Sequence, residues 1–179
     1  MNKARVIITE KCDKKCKYCC NKQENIKSVM QPISYIEDVL KFQPNCKEVM
    51  ITGGEPMLRP HLVKQIVFSM KKWNSRWRKD IKVYLYSAMY THHLGEVMPF
   101  IDGLQYTLHT STDMDMYRFY ELQRELSRYK YSVRSFRLYI RQNITDMINI
   151  RPSLWNRVEV KPWIVDCPLP SDEELFVLR

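Results

Sequence analysis

Residues 48–56 read Glu48-Val49-Met50-Ile51-Thr52-Gly53-Gly54-Glu55-Pro56. The first five are a short apolar run of strand length, and two adjacent glycines end it. Pro60 then precedes a segment carrying Leu62, Ile66, Val67 and Met70 at helical spacing. A strand passing through a glycine turn into a helix is a βα unit, and its rhythm recurs along the chain. Upstream, Val6-Ile7-Ile8 is a short strand ending at Thr9. A helical pattern starts at Ser34, runs through Ile36, Val39, Leu40 and Phe42, and stops at Pro44-Asn45. Downstream, strands are expected at 81–89, 104–109, 132–141 and 157–164, and helices at 94–100 and 113–129, the second capped by Asp113. Pro152 interrupts any helix in 145–155, and Ser171-Asp172-Glu173-Glu174 reads as a capping box opening one last turn.

Strands thus alternate with helices about six times at roughly thirty residues per unit, the rhythm of a parallel sheet. Six units are too few for an eight-fold barrel. The expected fold is α/β, an open six-stranded parallel (β/α)6 partial TIM barrel over residues 1–165. Residues 166–179 are expected to form a C-terminal tail that packs on or closes the barrel. Helices should cover the apolar strand faces and leave the polar faces to line a lumen. On that polar side stand Gln105, Thr107 and His109, then Ser135, Arg137, Tyr139 and Arg141, then Glu159 and Lys161.

The chain has 179 residues, 45% hydrophobic and 27% charged. That is ordinary globular composition and excludes a disordered tail, a fibre or a disulfide mini-protein. No apolar run approaches the roughly 18 residues of a membrane span, and the first residues do not resemble a signal peptide; a cytoplasmic protein is expected. Lys and Arg number 29 against 20 Asp and Glu, a formal charge of +9. This excess favours anions: nucleic acid, nucleotides, phosphates or an acidic partner. The charges are scattered, densest at 11–17 and at Arg76-Trp77-Arg78-Lys79.

Four of the six cysteines fall within nine residues, Cys12, Cys16, Cys19 and Cys20. A tight cluster without a secretory context points to metal or redox chemistry. Cys12-x-x-x-Cys16-x-x-Cys19 directly follows the first strand, so three thiolates on one loop can face a single centre. Both zinc and iron–sulfur clusters take thiolates. A structural zinc site needs four closed ligands, and a second pair is missing here. Three ligands on a four-iron cluster would leave one iron open. Lys11, Lys14, Lys15 and Lys17 would favour the thiolates. Cys20 reads as a spare thiol, Cys46 and Cys167 as buried small apolar residues, and His92-His93 as loop surface.

The C-x3-C-x2-C spacing, with the aromatic Tyr18 before its last cysteine, resembles the radical S-adenosylmethionine (SAM) superfamily. Gly53-Gly54-Glu55-Pro56 at the end of the second expected strand resembles that family's GGEP motif. The resemblance implies a [4Fe-4S] cluster on Cys12, Cys16 and Cys19. Its open iron would chelate S-adenosyl-L-methionine, with Gly53, Gly54, Glu55 and Pro56 at the methionyl amine and the backbone beside Tyr18 facing the adenine. Ser87, at the end of a strand, is positionally similar to a ribose or carboxylate contact; by strand alternation His109, Arg137, Arg141 and Lys161 would make the lumen cationic, and His109 and Arg137 are expected to bind the cofactor there. Asn21 resembles a position after the cysteine motif in several members. The implied activity is reductive cleavage of SAM to a 5′-deoxyadenosyl radical, an oxidoreductase or lyase reaction on an unidentified substrate. That substrate is a small anionic molecule such as a pterin or nucleotide, or a partner protein as for glycyl-radical activases. An external flavodoxin- or ferredoxin-like electron donor is implied. No residue is assigned as a catalytic acid or base. The competing reading is a non-enzymatic zinc module gripping nucleic acid through the basic surface and the Trp73/Trp77 pair.

Overall fold

The computed structural model describes residues 2–14, 16–142, 144, 148–162 and 168–179. Among these, the strands are β1 (Lys3–Ile7), β2 (Gln31–Ile33), β3 (Glu48–Thr52), β4 (Lys82–Ser87), β5 (Gly103–Leu108), β6 (Ser135–Arg141), β7 (Arg157–Lys161) and β8 (Glu173–Leu178). The α-helices are α1 (Glu24–Lys27), α2 (Asp38–Phe42), α3 (Pro60–Trp77), α4 (Leu94–Val97) and α5 (Asp113–Leu126). All pairings are parallel, in the order β2-β8-β1-β3-β4-β5-β6-β7. The sheet is open, as expected of a partial barrel. The six strands expected from the sequence form its run from β1 to β7, and β8 and β2 extend it beyond β1.

The two added strands were hidden for physical reasons. Pro32 cannot donate to a ladder, and it sits in β2, where only one neighbour is present. Glu173 and Glu174 begin β8 and not a helical turn. They are carried in the sheet because Arg5 Nη2 meets Glu173 at 2.5 Å and Lys3 meets Asp172 at 2.8 Å. The helix expected from Ser34 starts only at Asp38, whose carboxylate accepts from the amides of Tyr35 (2.9 Å) and Ser34 (3.3 Å) and holds them in a turn. Thr112, and not Asp113, caps α5: its hydroxyl accepts from the Asp115 amide. Residues 143, 145–147 and 163–167, which include part of two expected segments, lie outside the described residues.

Alternation along the strands separates two faces. Ala4, Val6, Val49, Ile51, Val83, Leu85, Leu104, Tyr106, Phe136 and Leu138 point outward into one core with Val63, Ile66, Val67 and Met70 of α3 and Phe119, Leu122 and Leu126 of α5. Parallel register carries the other set, Arg5, Met50, Tyr84 and then Gln105 and Arg137, around the inner face. β7 departs from the expected covering by helices, since Val158 and Val160 on its outer side are 40% and 51% exposed. The Trp73 and Trp77 rings pack on each other at 5.7 Å near the C-terminus of α3, and Arg76 stacks on Trp77. That places the pair at the N-terminal end of the sheet, because Asn74 bonds Ile81 just before β4.

Phe176 of β8 is fully buried in the main core and its ring lies 6.0 Å from that of Phe42. Phe176→Ala is therefore expected to cost about 3–5 kcal/mol in urea unfolding. A tail merely resting on a complete barrel would lose less than about 1 kcal/mol.

Candidate active site

The loops leaving β1, β3, β4 and β5 meet at the C-terminal ends of the strands, where open α/β sheets bind ligands. They enclose a cavity of about 200 Å3. Its walls include Cys12, Cys16, Tyr18 and Cys19 from the first loop, Gly53, Gly54 and Glu55 from the second, Ser87 and Ala88 from the third, and His109 beyond β5.

The first two loops are joined by backbone hydrogen bonds that continue the β1–β3 ladder past its last residue. Ile8 N donates to Thr52 O (3.0 Å), Gly54 N to Thr9 O (2.7 Å) and Glu55 N to Lys11 O (2.8 Å). Only glycine permits this approach. A Cβ at Gly54 would stand 2.3 Å from Lys11 O, and one at Gly53 would stand 2.5 Å from Thr9 O. The double glycine therefore lets the turn close on the cysteine loop itself. Asn21 Nδ2 donates to Gly53 O at 2.6 Å and fastens the far end of that loop to the same turn.

Cys12 is exposed, Cys16 and Cys19 are half-buried, and all three are free thiols. Burial pushes the Cys12 and Cys16 thiols above their ordinary range. For Cys16 the Cys19 sulfur adds to this, while Arg141 and Lys14 oppose it. Of the basic residues expected to favour thiolates, Lys14 acts in this way. Lys11 and Lys17 are exposed, and Lys15 lies outside the described residues. Cys20 is disulfide-bonded, so it is not the spare thiol the sequence suggested. Cys46 is buried, as expected, and its thiol is pushed up to about 11 by burial; Cys167 lies outside the described residues.

Glu55 is 1% exposed. Its carboxylate accepts from Met57 N (2.9 Å), Ser87 Oγ (2.6 Å) and Ala88 N (2.8 Å), which ties the turn after β3 to the end of β4. Burial nevertheless outweighs these three donors and raises Glu55 to about 7. Ser87 is thus oriented on Glu55. Pro56 opens a short 3-10 turn behind the cavity wall and is buried. His109 is pushed down to about 4 by burial, with Arg141 and Lys14 reinforcing this, so it is neutral at pH 7 and does not add to a cationic lumen. Lys161 is engaged with Glu159 (2.9 Å) and the Tyr139 ring (3.8 Å). Arg137 is not brought to the cavity. It borders a separate recess with Glu48, Tyr84 and Ser135, and Arg141 stands by the cysteines instead.

Arg5, Tyr86, Gln105 and Thr107 complete the cavity. Gln105 and Thr107 were visible as inward-facing by alternation. Arg5 and Tyr86 needed the register of β1 with β3 and β4. His61, at the start of α3, lies near His93 (ring centroids 5.7 Å), and His93 Nδ1 is 3.0 Å from Glu96 Oε1. Among the described residues, no group of three or more His, Cys, Asp or Glu is arranged to hold a single metal ion.

Three free thiols on one loop, a turn closed against that loop, and a shared cavity at the strand ends suit a group larger than one ion. The profile of the Radical SAM superfamily matches residues 6–150, and the chain belongs to that superfamily. These are enzymes that bind a [4Fe-4S] cluster and S-adenosylmethionine and need an electron donor. Curated relatives are GTP 3',8-cyclases. That of Listeria monocytogenes serotype 4b is 34% identical over 67 residues, 34% of this chain and 20% of its own. That of Aliarcobacter butzleri is 36% identical over 75 residues, 38% and 23%. That of Campylobacter lari is 30% identical over 86 residues, 45% and 25%. The matched part of the chain spans about a fifth to a quarter of the length of these relatives. No helix among the described residues is long and apolar enough to cross a membrane.

Glu55 gives a pH signature. Its raised folded value means that the folded chain keeps a proton between about 4.5 and 7 that the unfolded chain releases. Its contribution to stability therefore falls as pH rises through that window. Against Glu55→Gln, which cannot ionise, wild-type protein should lose up to about 3 kcal/mol of relative stability between pH 4.5 and 8. Urea unfolding of both metal-free proteins across this range measures the gap, and a pH-independent gap would contradict the assignment.

Proposed function

We propose that the chain is a radical SAM enzyme whose Cys12, Cys16 and Cys19 hold a [4Fe-4S] cluster, and whose substrate is a small anionic heterocycle of the nucleotide or pterin kind. The observation that carries this is the closure of the Gly53-Gly54 turn on the cysteine loop over one shared cavity. When bound, the cluster and SAM supply reductive C–S cleavage and a 5′-deoxyadenosyl radical that abstracts hydrogen.

The residues divide that work. The Gly54 and Glu55 amides and the Glu55 carboxylate are already engaged within the protein, so the turn offers carbonyl oxygens, the acceptors a methionyl ammonium requires. Tyr18 walls the same cavity from the cysteine loop, where the adenine would lie. Ser87 acts on the cofactor through Glu55. Neutral His109 lines the same cavity and gives it a polar wall without adding charge. Arg5 is offset by Glu173, and Lys161 by Glu159. Arg137 has no ion-pair partner among the described residues, which leaves it to meet an anionic substrate group reaching below the cavity. Tyr86, Gln105 and Thr107 offer a ring face and hydrogen-bonding groups of the kind that read a heterocycle. The relatives named GTP 3',8-cyclase make a purine nucleotide the first substrate to try. The electron comes from an external flavodoxin- or ferredoxin-like donor.

The test is anaerobic. After loading with iron and sulfide and chemical reduction, wild-type protein with SAM should form 5′-deoxyadenosine, and Cys16→Ala should form none detectable. Added GTP should raise the rate if the substrate class is right. Tight zinc binding in place of a four-iron cluster, or equal product from Cys16→Ala, would overturn the reading.

A further inference from the structure

Two charge pairs join the cysteine loop to α5. Lys14 Nζ binds Asp115 Oδ1, the two side chains only 12% and 7% exposed. Thr110 Oγ1 donates to the other oxygen of that carboxylate. One turn along the helix, Arg118 Nη1 meets Asp13 Oδ2 at 3.0 Å. Asp115 and Arg118 are three residues apart and share a helix face. The adjacent Asp13 and Lys14 present the opposite charges to them. Slipping the loop by one residue would break both pairs, so the pattern sets its register. Lys14 also carries the constraint to a thiol, because its amide donates to Cys12 Sγ at 3.3 Å.

The chemistry proposed above uses neither pair. The backbone bonds at Thr9 and Lys11 hold the start of the loop, and Asn21 holds its end. The charge pairs take hold between those anchors, in a stretch whose residues 10–13 are exposed and bury little apolar surface. Without such a hold, a short polar loop would spread over many conformations. We propose that Asp115 and Arg118 are positioning residues: a two-point electrostatic latch that keeps the 12–19 loop in its ligating shape before any cluster is assembled. The proposal rests on the reading of Cys12, Cys16 and Cys19 as cluster ligands. Breaking one member of a partly buried pair leaves its partner uncompensated, so the loop should open locally while the rest of the fold stays closed.

Thiol reactivity in the metal-free chain reads this directly and needs no activity. In Asp115→Asn and Arg118→Glu, alkylation of the half-buried Cys16 and Cys19, followed by mass spectrometry, should accelerate at least about fivefold. Alkylation of buried Cys46 should stay unchanged. Loading of iron and sulfide should slow in parallel, and the charge exchange Asp13→Arg with Arg118→Asp should restore both. Unchanged reactivity at Cys16 and Cys19, or equal acceleration at Cys46 with a lowered Tm, would overturn the latch, the second outcome marking ordinary destabilisation. If wild-type protein takes zinc and no four-iron cluster, the functional reading fails, yet the alkylation comparison still decides whether the latch exists.

Discussion

The ladder between β1 and β3 does not stop where the strands do. Its last rungs run from Ile8 to Thr52, from Gly54 to Thr9 and from Glu55 to Lys11, and most of the site depends on them. They force residues 53 and 54 to be glycine, since any Cβ would strike a carbonyl oxygen. They set the direction in which the cysteine loop leaves the sheet. They also bury Glu55 at the point where it can gather Met57, Ser87 and Ala88. The double glycine of the motif is, in the folded chain, a close contact between two backbones.

Electrostatics at the site is governed by burial and pairing more than by the +9 total. The inward-facing cations largely have partners: Arg5 with Glu173, Lys14 with Asp115, Lys161 with Glu159. His109 is held neutral by burial. The lumen is therefore far less positive than a count of basic residues implies, and the excess charge belongs mostly to the exposed surface.

The sequence made the cysteine and glycine motifs and six strands legible for definite reasons. Strands of a parallel sheet show unbroken apolar runs or clean alternation, and Gly-Gly next to a strand is rare in a chain with only four glycines. What stayed hidden was non-local. β8 is held by Lys3 and Arg5 against residues that locally favour a helix start. Lys14 and Asp115 meet across 101 positions, which no window of sequence contains. Arg137 and Arg141 share one inward lane of β6, and alternation alone could not rank them. Four residues of strand, about 13 Å, separate the recess of the one from the cysteines of the other.

Amide hydrogen exchange at Gly54 and Glu55 in the metal-free protein tests the closed ladder most directly. The account predicts protection at both amides comparable to that within β3, because their acceptors, Thr9 and Lys11, are in place without any cofactor. Exchange at the rate of an open loop, with protection gained only on cluster loading, would contradict it.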